Sequence, residues 1–385
     1  MKTLRPFLLA LFSLAPLGRA AEPVWLSDQP VPKTAELSKL SSVQFHVIKA
    51  NQPQYDGYRW LHGVALAWHK GKLYATFGHN KGEENTAGEE ARGRVSSDGG
   101  QTWGEVFTID DDKTRGLGVS HGVLLSYQGA LWAFQCSFYG RMEKCHTRAY
   151  VLNEATGAWE KKGVVIEGGF GPNQAPQKMA DGNWIMAGRV VEKQDGFPAA
   201  VAISRGNDLT QWTLVKIPKP AGLNMYGESS VIVHGKRVQN FARIQSKPSS
   251  ALSAVSEDFG RTWTESRPSN LPMVPSKAYA GTLSTGQRFL VGTTTAEAAT
   301  RNFRSPLTIA VGRPGENGFS KVFRIRDSVC AESPGDSEPR ASLSYPYAIE
   351  HDGFLYIGFS NGGGRSGNNN SAEMAVIPIK SLKVE

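Results

Sequence analysis

The chain has 385 residues, 40% of them apolar and 20% charged, with 42 glycines and a formal charge of +8. That balance belongs to a globular protein with a full core, long enough for one large domain or two ordinary ones, and it excludes a low-complexity chain. No Lys/Arg-rich run interleaves with aromatics, which argues against a nucleic-acid partner.

The chain opens as a leader. Met1-Lys2-Thr3-Leu4-Arg5 is basic, Pro6 to Pro16 is apolar, and Gly18-Arg19-Ala20-Ala21 offers small residues for cleavage. This predicts a secretory signal peptide over residues 1–20. Its apolar run is too short to span a bilayer, and no later segment is longer, so no membrane span is expected. The reading is an exported protein, periplasmic or extracellular. Cleavage removes Lys2, Arg5 and Arg19 and lowers the charge from +8 to +5. The remaining basic excess fits an anionic ligand.

From residue 63 a strand–turn–strand unit recurs. It reads GVALAWHKGKLYATFG at 63–78, GVLLSYQGALWAFQC at 122–136 and APQKMADGNWIMAGRV at 175–190. It returns as SSVIVHGKRVQNFARI at 229–244, AGTLSTGQRFLVGTTT at 280–295 and YPYAIEHDGFLYIGFS at 345–360. Each unit has two apolar strands around a glycine turn. The turn glycines are Gly71, Gly129, Gly182, Gly235, Gly286 and Gly353, separated by 58, 53, 53, 51 and 67 residues. Six repeats at a near-constant period predict radial repetition of a four-stranded blade, since one such sheet cannot bury both of its faces. The expected fold is therefore all-β, a six-bladed β-propeller forming one domain over 21–385. A large β-sandwich is the alternative.

Between the hairpins, Ser96-Ser97-Asp98-Gly99-Gly100-Gln101-Thr102-Trp103 fits S-x-D-x-G-x-T-W, and Ser256 to Trp263 repeats it. A weaker echo spans Ser204 to Trp212. The aspartate accepts bonds from turn N–H groups, and the tryptophan anchors the turn on the blade. These are Asp-boxes, which resemble those of sialidases and of several unrelated propellers. They are structural and lie away from the active face.

The sialidase resemblance extends to a sparse set of polar residues. Members of that family share three arginines, a tyrosine paired with a glutamate, and a separate carboxylic acid. The arginines grip the carboxylate on the anomeric carbon of sialic acid. A neutral phenol attacks where a carboxylate nucleophile would be repelled by that charge, and the separate acid protonates the leaving oxygen. Tyr58-Arg59-Trp60-Leu61-His62-Gly63-Val64-Ala65-Leu66 resembles the family's Y-R-I-P-A-L segment without its Ile-Pro, so the resemblance implies Arg59 as the first arginine. The family acid, about two dozen residues on and fourteen before the Asp-box aspartate, falls on Glu84, a Glu in place of Asp, with Glu83, Glu89 and Glu90 as rivals.

Tyr226-Gly227-Glu228 precedes the fourth hairpin, whose return strand carries Arg243, 15 residues on, so these are the implied base and second arginine. Arg304, with Arg301 as its rival, is the implied third. Tyr345, with Tyr347 as its rival, opens the last hairpin as the implied nucleophile. The resemblance thus implies an exo-α-sialidase-like retaining glycoside hydrolase acting on an acidic glycan, a monomer that needs no cofactor and no metal.

Two other readings remain. His62 and His121 hold matching places in two repeats, which keeps open a polysaccharide lyase acting on a uronate. A propeller that binds acidic sugars without catalysis is the other. Cysteine is sparse at Cys136, Cys145 and Cys330, with no metal-ligand spacing. Export permits a Cys136–Cys145 disulfide, and buried free thiols are the alternative.

Overall fold

The computed structural model describes residues 21–192 and 196–384. The expected signal peptide, 1–20, lies outside the described residues.

Six antiparallel sheets are arranged around an axis, as the repeat predicts. In the first blade the order from the axis outward is Trp60–His69, Lys72–Asn80, Glu90–Ser96 and Phe107–Asp110. The innermost strands of the other five are Leu117–Tyr127, Phe170–Pro172, Met225–His234, Tyr279–Thr282 and Leu343–His351. Burial falls from the axis to the rim of the second blade. Trp60–His69 is almost wholly buried, which matches its near-continuous apolar sequence, whereas the outer strand Trp159–Ile166 of the second blade is mostly exposed. Apolar faces of neighbouring blades cover one another, with Leu66, Phe134, Met186, Ile309 and Ile357 in one continuous cluster.

The six predicted hairpin glycines all have positive φ and all turn the first strand of a blade into its second. The fourth strand of the sixth blade does not come from its own repeat. Gln44–Lys49, near the start of the chain, pairs with Ser371–Pro378 near its end and closes the ring. Ser38–Lys39 adds in parallel to Lys321–Arg326, the outer strand of the fifth blade.

Both Asp-boxes form as anticipated. Asp98 accepts from the Thr102 backbone at 2.9 Å and the Thr102 hydroxyl at 2.5 Å, and Trp103 Nε1 donates to the Gly100 carbonyl at 3.1 Å. Asp258, Thr262 and Trp263 repeat these bonds. Each turn also locks onto the preceding blade. A Cβ on Gly100 would meet Met374 of the sixth blade at 2.3 Å, and one on Gly260 would meet Ile185 of the third at 2.7 Å. Because the strands alternate in direction, these turns share an end of the propeller with the hairpin glycines. The opposite end holds the starts of the first strands.

The three cysteines are buried and free. No helix among the described residues is long and apolar enough to cross a membrane.

Candidate active site

An innermost strand that runs regularly points its side chains into the packing between blades. Four of the six break that rule where they begin. Register shifts fall between His62 and Ala65, Val119 and Gly122, Met225 and Ser229, and Ser344 and Tyr347. A bulge re-aims the residues within and beside it. Here they put His62, His121, Glu228 and Tyr345 at the axis, where Lys277 joins them from just before the fifth blade's first strand. Tyr345 has φ of 55°, a left-handed backbone that a bulky residue adopts only when its surroundings force it.

The core of the site is a carboxylate–phenol pair. The Tyr345 hydroxyl donates to Glu228 Oε1, although the two residues stand on different blades. Arg243 donates to Glu228 Oε2 at 2.8 Å and lies 3.3 Å from the Tyr345 oxygen. Arg189 brings a second guanidinium within 3.4 Å of Glu228, and both arginines stack over Tyr226 at 4.6 Å. Arg304 and Lys277 approach the Tyr345 ring at 5.8 and 5.2 Å. His62 packs on that ring with centroids 3.9 Å apart, and His121 meets it edge-on at 6.2 Å.

Charge follows from this geometry. Burial opposes ionisation of Glu228, but Arg243, Arg189 and the Tyr345 hydroxyl outweigh it and hold the carboxyl at about 2. Burial, reinforced by the charge on Glu228, pushes the Tyr345 phenol well above its usual range. The proton therefore rests on the phenol, already hydrogen-bonded to an ionised acceptor. Burial and the neighbouring cations push His121 down to about 3 and His62 well below its usual value, so both are neutral. Four cations thus surround one carboxylate, leaving a net positive site.

Tyr345, Glu228, Arg243 and Arg304 come together as expected. The rivals of two of them do not. Tyr347 packs on Tyr279 in the core at 4.8 Å, and Arg301 is exposed. Glu84 lies one layer out, held by the Asn368 amide at 2.7 Å. Burial raises its carboxyl, Glu228 adds to the rise, and Arg189 and Arg304 moderate it. Glu83 is exposed on Arg141, Glu90 accepts from Tyr58, and Glu89 is buried against the Asn85 backbone.

Arg59 departs from the expectation. It is exposed, donates to the Lys81 carbonyl at 3.3 Å, and shares a hollow of about 370 Å³ with Glu84 and Asn369. The register shift after His62 turns that residue onto the Tyr345 ring, whereas Arg59, three residues earlier, stays at the rim beside Glu84. Arg189 and Lys277 went unnoticed in the sequence. Arg189 ends the second strand of its blade, the same place as Arg243, and that repeat position was the available signal.

Among the described residues no group of three or more His, Cys, Asp or Glu is placed to hold a metal ion.

Residues 71–357 match the model of the BNR repeat-like domain. No curated protein matches the chain. Among solved structures, a Dyadobacter fermentans protein of unknown function aligns with a TM-score of 0.67 at 14% identity, over 88% of this chain and 99% of its own. The Hadza microbial sialidase Hz136 aligns at 0.68 and 15%, over 88% and 69%. Trypanosoma rangeli sialidase with 2,3-difluorosialic acid, a covalent intermediate, aligns at 0.62 and 13%, over 90% of this chain and 59% of that one. At such identities the likeness is one of fold.

Proposed function

The chain belongs to the BNR repeat-like domain family, and from that premise we propose that it is an exported, retaining exo-glycosidase that releases a terminal sialic or related nonulosonic acid from a glycan. The observation that carries this reading is the hydrogen bond from Tyr345 to an ionised Glu228 inside a ring of cations. A sugar with a carboxylate on its anomeric carbon needs a neutral nucleophile and a cationic cradle, and the site offers both.

In this reading Arg243 and Arg304 hold the substrate carboxylate. The Tyr345 oxygen attacks the anomeric carbon as its proton passes to Glu228. The glycosidic bond breaks, and Glu84 gives its proton to the leaving oxygen. Water then attacks the anomeric carbon from the face opposite Tyr345 and gives one proton to Glu84, the tyrosyl–sugar bond breaks, and Glu228 returns to the Tyr345 oxygen the proton it took in the first step. Two displacements give retention. Arg189, 3.4 Å from Glu228, helps keep that carboxylate ionised between turnovers.

A 3-fluoro sialosyl fluoride tests this, because the fluorine slows breakdown of the covalent species. Peptide mapping should find the adduct on Tyr345. Turnover with inverted product and no adduct would reject the mechanism.

A lyase acting on a uronate is the second reading, favoured by one observation: two neutral histidines, His62 and His121, flank Tyr345. Release of an unsaturated uronate, in place of a free nonulosonic acid, would establish it.

A further inference from the structure

The acid fixes where the leaving group must lie. Glu84 can give its proton to the leaving oxygen only if that oxygen is beside it, so the glycan must continue past Glu84. The hollow of about 370 Å³ there is lined by Arg59, Gly82, Glu83, Glu84, Gly367 and Asn369, and by none of the residues that hold the reacting sugar. Two polar groups in it are open among the described residues. Arg59 is exposed and makes one side-chain bond, from Nε to the Lys81 carbonyl at 3.3 Å, which leaves both terminal nitrogens of its guanidinium without a partner. Asn369 is bonded through its backbone, to Ser366 and from Arg365, and its side-chain amide is free. The other carboxylate of the hollow, Glu83, is already paired with Arg141 at 3.3 Å. The unspent charge beside the acid is therefore that of Arg59.

We propose that Arg59 sets specificity on the leaving-group side, and that the glycan cut here carries an anion, a carboxylate or a sulfate, on the sugar next to the scissile bond. This rests on the acidic-sugar reading above and names the other half of its substrate. A guanidinium is weakly hydrated and meets an oxyanion with a two-point fork. Its two terminal nitrogens are the pair that Arg59 leaves open. The Asn369 amide donates alongside, and Gly82 and Gly367 add no side chains to the space. Because Arg59 is exposed, the contact stays partly solvated and salt screens it.

The test is kcat/KM of the intact protein on three substrates: N-acetylneuraminyl-lactose, the same glycan sulfated on its galactose, and a dimer of N-acetylneuraminic acid. At low salt one of the two acidic leaving groups should exceed the neutral one by about tenfold or more. Which one does so identifies the anion. The margin should shrink as salt is raised towards about 1 M. Arg59→Gln should remove both the margin and its salt dependence, and Arg59→Lys should keep part of each. The ratio is the readout because a damaged fold lowers all three substrates together. No margin in the wild type, or the same margin and salt dependence in Arg59→Gln, would overturn the proposal and leave the sialidase reading standing. Release of N-acetylneuraminic acid from none of the three would remove both.

Discussion

Tyr345 and Glu228 are 117 residues apart, on the sixth and fourth blades, and they meet because both sit in irregular stretches of innermost strands. The carboxylate is ionised and the phenol is not. Removing the acceptor without changing shape isolates its role. Glu228→Gln should lower kcat by about 10²- to 10⁴-fold, with the fold retained by circular dichroism. Turnover within a few-fold of wild type would remove Glu228 from the chemistry.

Arg243→Lys keeps the charge and loses the fork that reaches Glu228 and Tyr345 together. A fall of about 10²-fold in kcat/KM on an aryl sialoside is expected. Steady-state kinetics on protein of unchanged melting temperature would check it.

Glu84 is raised above the usual carboxylate range by burial and by Glu228. As the acid it must carry its proton, so kcat/KM should decline as pH rises through that raised value. Glu84→Gln should abolish this limb and slow poor leaving groups by about 10²-fold or more. Aryl sialosides, whose leaving groups need no proton, should suffer far less. Equal losses on both substrates would exclude the acid role.

Asp98 should act on stability alone. Hydrogen bonds from Thr102 and Ser96 depress its carboxyl. The stabilisation is therefore present above the unfolded value of about 4 and fades as pH falls through the lower folded one. Asp98→Ala should lower the melting temperature by about 2–4 °C at neutral pH, with the gap closing in acid and turnover unchanged. A large loss of kcat in well-folded protein would contradict this.

Gly63 has φ of 73°, and a Cβ there would lie 2.3 Å from the His121 ring. Gly63→Ala should cost about 1–3 kcal/mol of stability and displace His121 from Tyr345. Chemical denaturation would show the first effect, and the ring shifts of His121 by NMR the second.

The propeller was legible because its repeats are written locally. A turn glycine between apolar strands appears once per blade, and each Asp-box lies within eight residues. The Glu228–Arg243 pair was legible for a similar reason, being two ends of one hairpin. The exposed place of Arg59 and the packing of His62 on Tyr345 were not legible, because both follow from a bulge, and a bulge leaves little mark on the apolar pattern. Lys277 was missed since nothing beside it is unusual. Its meaning comes from a neighbour, Tyr345, that is 68 residues away in the chain.

The closing strand Gln44–Lys49 joins the start of the chain to the blade that carries Tyr345. Those residues are made long before the strand they pair with. On the ribosome the earlier blades can stack as they emerge, but the sixth stays one strand short until Ser371–Pro378 has been synthesised and the early segment swings back to it. Contacts of such long sequence separation form slowly. The blade that carries the nucleophile is therefore complete only when the strand that opens the propeller has met the strand that ends it.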